Sequence, residues 1–127
     1  MFKIDDEQTI HITRGDSGCI CVFAEDEKGH DYMFKPDEKL RFKVTEKKNT
    51  SNVVLEKTVT ITQITTSVNI ILEKEDTKIG DFINKPTDYW YEIELNPDSS
   101  DVQTIVGYDE DGPKLFTLYP EGGDSNA

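Results

Sequence analysis

Eleven of the fourteen residues from Thr58 to Ile71 are Val, Ile or Thr. Side chains branched at Cβ crowd the preceding turn of a helix and pack well on a pleated surface, so this stretch excludes helix and demands strands. The apolar period elsewhere agrees. Leu40, Phe42 and Val44 alternate with Arg41, Lys43 and Thr45, the pattern of a strand with one buried face. Val53, Leu55, Lys57, Val59 and Ile61 continue it, with Thr58 and Thr60 on the opposite face. Further on, Tyr89, Tyr91, Ile93 and Leu95 form an inward face and leave Trp90, Glu92 and Glu94 outward.

The remaining chain divides at turn-forming residues. Thr9–Thr13 reads as a first strand, Arg14-Gly-Asp-Ser17 as a turn, and Cys19–Ala24 as a second strand with Ile20, Val22 and Ala24 inward. Tyr32–Phe34 is a brief pairing segment stopped by Pro36. Val68–Leu72 begins another strand. Val102–Val106 and Leu115–Tyr119 follow the turn clusters Asn96–Ser100 and Asp109–Pro113. Glu73–Phe82 is the one candidate helical turn: its acidic residues come early, Ile79 and Phe82 are spaced i, i+3, and Gly80 limits it. Some eight strands separated by turns predict an all-β fold, an antiparallel immunoglobulin-like β-sandwich with one short helical turn. Its 127 residues predict one domain over 1–119, followed by a disordered acidic tail over 120–127.

The net charge of −12 is uneven. Sixteen acidic and thirteen basic side chains precede Asp88, whereas ten acidic residues and only Lys114 follow from there. Such an excess repels nucleic acid and anionic membrane and attracts a basic protein surface. Cys19 and Cys21 lie on one strand face about 6.7 Å apart, near the limit for a disulfide, so free thiols in a reducing compartment are expected. No apolar run reaches the length of a membrane span, and Met1-Phe-Lys-Ile-Asp-Asp6 has no signal-peptide core.

Few residues of the chain suggest chemistry. His11 and His30 are the only histidines, and neither accompanies a nucleophile in a recognisable pattern. Glu92 and Glu94 have the spacing of a carboxylate pair, but so do any two alternating acids on a strand. Asp109-Glu-Asp-Gly112 resembles the middle of a calcium loop. Aligning Gly112 with the loop glycine puts Gly107 and Leu118 at ligand positions, so the EF-hand pattern fails and only a looser loop site stays open. Cofactor and metal residues are therefore assigned to none, and no enzymatic activity is expected. Arg14-Gly-Asp16 matches an adhesion tripeptide but falls where a strand must turn. Asn49-Thr-Ser51 fits a glycosylation sequon without a secretion signal.

Trp90 is the strongest candidate for a functional side chain. An outward indole beside Glu92 and Glu94 is an amphipathic anchor next to charge. With the acidic turn Asp109, Glu110 and Asp111, it makes a candidate partner-binding patch to which Tyr108 and Tyr119 could contribute. The competing reading is that a neighbouring loop or the helical turn covers Trp90.

The order of segments resembles small immunoglobulin-like proteins of phage and prophage tail and baseplate modules from low-GC Gram-positive bacteria. The resemblance is carried by Thr13-Arg-Gly-Asp-Ser17 and the strand Cys19–Ala24, then Asp31-Tyr32 leading to Leu40-Arg-Phe-Lys-Val44. It continues through Leu72–Ile79 with Glu75-Asp-Thr77, Asp88-Tyr-Trp-Tyr-Glu-Ile-Glu-Leu95 and Thr104-Ile-Val-Gly107. The family typically has a Gly-x-Tyr-x-Tyr-Asp-Ile-like strand where this chain has Tyr89-Trp-Tyr-Glu-Ile93. Here Thr87-Asp88 replaces the usual glycine, and Gly80–Thr87 is longer. The resemblance implies a non-enzymatic structural or accessory protein acting by protein–protein contact, in the host cytoplasm or the virion, with a tail subunit as partner. Two other readings stay open. One is an acidic inhibitor of host defence, anti-CRISPR-like, whose carboxylates mimic nucleic acid before a basic host nucleic-acid-binding protein. The other is a carbohydrate-binding module for host attachment.

Overall fold

The structure, a computed structural model, describes residues 1–121. Nine strands follow one another: β1 (Phe2–Ile4), β2 (Ile10–Thr13), β3 (Gly18–Val22), β4 (Lys39–Thr45), β5 (Val53–Thr60), β6 (Val68–Leu72), β7 (Thr87–Leu95), β8 (Gln103–Val106) and β9 (Lys114–Tyr119). Seven form one sheet in the order β1-β2-β9-β7-β4-β5, with β8 also paired to β7. The other two, β3 and β6, make a separate ribbon. The ribbon closes the core: Ile20, Val22, Val68, Ile70 and Leu72 join Ile10, Ile12, Phe42, Val44, Ile93, Phe116 and Leu118 of the large sheet in one buried cluster. Phe42 is central, its ring 5.6 Å from that of Tyr91 and 6.2 Å from that of Phe116. Each fully buried side chain of this size contributes about 1.5–3 kcal/mol.

The chain is all-β among the described residues, but the expected antiparallel immunoglobulin-like sandwich with a helical turn needs correction. First, there is no helix among these residues. Asp76 takes the Glu73 N–H on its carboxylate (2.8 Å) and sends its own N–H to the Glu73 carbonyl (2.9 Å). A self-capped turn results, because a short acidic side chain competes with helix for backbone donors. Ile79 is buried and Phe82 is 62% exposed, so the i, i+3 pair shares no face. Thr77, wholly buried, fixes the turn from the other side: its hydroxyl accepts from Gly15 N–H (2.9 Å) and donates to the Asp16 carbonyl (2.7 Å).

Second, the large sheet is mixed. β2 and β9 run parallel, with Ile10 opposite Phe116 and Ile12 opposite Leu118, so the first and last long strands meet inside the sheet. Third, the two layers are unequal, seven strands against two.

Smaller differences are local. β1 pairs with β2 where no strand is expected. The second expected strand ends at Val22. Ala24 beyond it is half-buried against the core and accepts from Tyr32 N–H. Arg14 donates to the carbonyls of Ile79 (3.2 Å) and Gly80 (2.6 Å) and pairs with Glu121 (2.5 Å), while Asp16 bonds the amino terminus. The Arg-Gly-Asp tripeptide is thus a built turn. Of the segment read as a disordered tail, residues 122–127 lie outside the described residues.

Candidate functional site: an aromatic pocket on the outer sheet face

The alternation of β7 sets this site. Tyr91, Ile93 and Leu95 are buried, and Trp90, Glu92 and Glu94 point away from the core, half-exposed. β4 lies alongside in antiparallel register, with Thr45 opposite Trp90, Lys43 opposite Glu92 and Arg41 opposite Glu94. Because both strands bury their apolar faces inward, their charged residues meet across the outer face. Lys43 Nζ is 3.0 Å from Glu92 Oε1. Arg41 binds Glu94 through Nη2 at 2.5 Å and Nε at 3.2 Å, and reaches Glu56 on β5 at 3.5 Å. The Glu94 hydrogen bond raises the Arg41 pKa against a smaller effect of burial. Cross-strand pairs of this kind contribute about 0.2–1 kcal/mol each when exposed. Their larger consequence is that the acidic strand face is neutralised.

The third wall comes from the β8–β9 connection. A Cβ at Gly107 would stand 2.7 Å from Thr104 Cγ2, so a larger residue here would have to push the Thr104 methyl aside, while the 3.5 Å to Glu92 Cβ on β7 is ordinary contact. Tyr108 comes next. It is 72% exposed, with its ring 6.0 Å from Trp90 at 69°, edge against face. Asp109 then closes a tight turn with Gly112, whose φ of +100° suits glycine, as expected of an Asp-Gly turn. Both carboxylate oxygens of Asp109 take Lys114 Nζ, at 3.0 and 3.1 Å. That hydrogen bond, aided by the Asp111 N–H, holds the Asp109 pKa below the usual carboxylate range. The Lys114 side chain is 8% exposed, and its ammonium is the cation that Asp109 binds. No cluster of three or more metal-ligating side chains occurs among the described residues.

Together these walls enclose a pocket of about 290 Å³, open to solvent. Trp90, Tyr108 and Pro113 supply its apolar surfaces, and Lys43, Thr45, Thr50, Glu92 and Lys114 its polar ones. Of the six residues nominated from sequence, Trp90 and Glu92 line it and Asp109 braces it. Glu94 lies farther along β7 with Arg41. Glu110 and Asp111 are exposed on the adjoining turn and form no ion pair among the described residues. Sequence reasoning missed Thr45, Thr50, Pro113 and the cations. Arg41 and Lys43 carried a signal, as polar partners of a one-faced strand, but which strand lay beside them did not. Tyr119 lies elsewhere. Its hydroxyl is 2.8 Å from His11 Nδ1, and His11 Nε2 is 2.9 Å from Asp5, so both ring nitrogens of His11 are engaged.

No helix among the described residues is long and apolar enough to cross a membrane. No family model, curated protein or solved structure matches this chain.

Proposed function

We propose that this chain is a non-enzymatic structural or accessory protein of a phage or prophage tail or baseplate, working by protein–protein contact through the outer face of its large sheet. The observation that carries the contact reading is the solvent-open pocket in which Trp90 and Tyr108 stand edge to face among charges already paired within the chain. Exposed aromatics in a partly formed pocket are the usual energetic centre of an interface. Pre-paired charges at the rim need no new counter-ion on docking, so the pocket favours a surface of matched shape over one selected by charge alone. The tail and baseplate setting rests on the sequence resemblance.

Pairing of Glu92, Glu94 and Asp109 with Lys43, Arg41 and Lys114 also weakens this face as a nucleic-acid mimic, which needs unscreened carboxylates. The test is co-sedimentation of the purified chain with tail complexes and with their separate subunits. Retention at about 0.5 M salt, where charge attraction reaches only a few ångströms, is the expected result. Binding to no tail component, or only to a basic nucleic-acid-binding protein with loss at high salt, would overturn it.

A further inference from the structure

We infer that the free edge of β8 takes up a short, extended, lysine- or arginine-rich segment of a protein partner as an added strand. This goes beyond the contact reading above and concerns a different surface. Only one edge of β8 is paired, to β7, and no backbone group of Gln103–Val106 bonds anywhere else among the described residues. Every residue of β8 lines a solvent-open groove of about 1140 Å³. The other wall is the segment from Phe23 to Tyr32 that follows β3. It is a built wall. Glu25 bridges to Asp31, Ala24 accepts from Tyr32 N–H (2.9 Å), and the Asp26 carboxylate takes the N–H groups of Lys28 (2.9 Å) and His30 (3.0 Å).

An unpaired strand edge presents N–H and C=O groups in alternation, and the backbone of another strand is what meets both at that spacing. A sugar has no such repeat. β8 is four residues long and carries one extra residue, Ile105, against β7, and short, bulged edges pair weakly by backbone alone. Side-chain charge therefore decides what stays.

Glu25, Asp26, Glu27, Asp31, Glu38 and Asp101 line the groove, with Lys28 as its only lysine or arginine. None of the six forms an ion pair among the described residues, whereas Glu92, Glu94 and Asp109 of the outer face are paired. The Tyr32 hydroxyl sits in this field. Burial, the Glu38 carboxylate to which it donates (2.7 Å) and the charge of Asp101 push its pKa up to about 12. A neutral strand leaves these carboxylates without counter-charge, an acidic one is repelled, and a net charge of −12 disfavours a second copy of the chain. A basic strand satisfies both edge and wall. Phe23, 69% exposed in the same groove, offers apolar surface to the methylene stems of its lysines or arginines.

The test titrates a labelled, end-blocked peptide alternating lysine and threonine into the full chain, read by fluorescence anisotropy. Its comparators are the same peptide with glutamate for lysine, two versions N-methylated at one or the other set of alternate residues, and spermine. The lysine peptide is expected to bind with Kd below about 1 mM at low salt and at least tenfold more weakly at about 0.5 M. The glutamate peptide should not bind. One N-methylated version, which keeps the charge but loses the donors that face β8, should bind at least fivefold more weakly. Amide exchange at Gln103–Val106 should slow severalfold on binding. The Glu25→Gln, Glu27→Gln, Asp31→Asn variant changes exposed side chains and should weaken binding at least fivefold with an unchanged urea midpoint.

No saturable binding, equal binding of the glutamate peptide, or undiminished binding by that variant would each overturn the inference. So would full binding by both N-methylated peptides, or by spermine, with no exchange protection of β8, since a general cation-attracting patch would explain them. The groove shares no lining residue with the Trp90–Tyr108 pocket, so Trp90→Ala should bind the peptide like the parent. Loss of tail binding with peptide binding intact defeats the outer-face reading alone, and the reverse result defeats this one alone.

Discussion

Replacing Thr77 by valine tests why the chain after β6 is a turn and not a helix. The Thr77 side chain has no exposed surface, and its hydroxyl accepts from Gly15 N–H at 2.9 Å while donating to the Asp16 carbonyl at 2.7 Å. Valine keeps the shape and removes both bonds, along with a longer one to the Lys74 carbonyl at 3.3 Å. Each lost bond costs about 1 kcal/mol, and each backbone group left buried without a partner adds about 1–3 kcal/mol. The added methyl returns about 0.8 kcal/mol. With partial access of water to Gly15, the net expectation is a destabilisation of about 2–4 kcal/mol. Thr77→Ser keeps the hydroxyl and loses one methyl, for about 1 kcal/mol. Urea unfolding followed by circular dichroism reads both, and the valine variant should lower the midpoint by about 1 M or more. Serine more damaging than valine, or valine within about 0.5 kcal/mol of the parent, would refute the claim that this hydroxyl ties the two turns together.

Acid sensitivity follows from four carboxylates held below their ordinary range, Asp5, Glu38, Asp76 and Asp109. Asp5 is lowered by its hydrogen bond from His11, and Asp109 by that from Lys114. A folded pKa below the unfolded one gives stability that is complete above the unfolded value, about 3.9 for Asp, and is lost as pH falls through the lowered folded values. Unfolding midpoints should therefore be flat above about pH 5 and fall below about pH 4. In Asp109→Asn the fall should be shallower, whereas stability rising on acidification would contradict the assignment. At Gly18 a Cβ would lie 2.5 Å from Phe2 Cδ1, so Gly18→Ala should cost about 1–3 kcal/mol by displacing β1. Adding Phe2→Ala should recover part of that cost, and strict additivity in the double-mutant cycle would rule the clash out.

Much of the architecture is written in local alternation. β4, β6 and β7 bury every second residue, and the outwardness of Trp90, Glu92 and Glu94 follows from Tyr91, Ile93 and Leu95 facing in. What escaped sequence reading depends on contacts distant in the chain. Glu73–Phe82 looks helical because the capping of Glu73 by Asp76 and the clasp of Thr77 on Gly15 and Asp16 leave no periodic trace. The parallel pairing of β2 with β9 joins strands over a hundred residues apart, and neither sequence encodes its neighbour's direction. β1 is three residues long and is a strand because β2 offers it an edge. At the pocket, the aromatic and acidic residues were legible, but their neutralisation was not. It arises from the register that sets Lys43 against Glu92 and Arg41 against Glu94.

Docking through the outer face of the seven-stranded sheet can be told from docking through the two-stranded layer by substitution. Trp90→Ala and Tyr108→Ala alter the pocket, while Ile71→Ala alters a side chain 51% exposed on β6, in the layer across the core. Each variant, checked for an unchanged urea midpoint, is measured for affinity to an immobilised tail complex. We expect both pocket variants to bind at least tenfold more weakly, as befits aromatic interface anchors, and Ile71→Ala to bind like the parent. Full binding by both pocket variants, or loss confined to Ile71→Ala, would contradict docking through the outer face of the seven-stranded sheet.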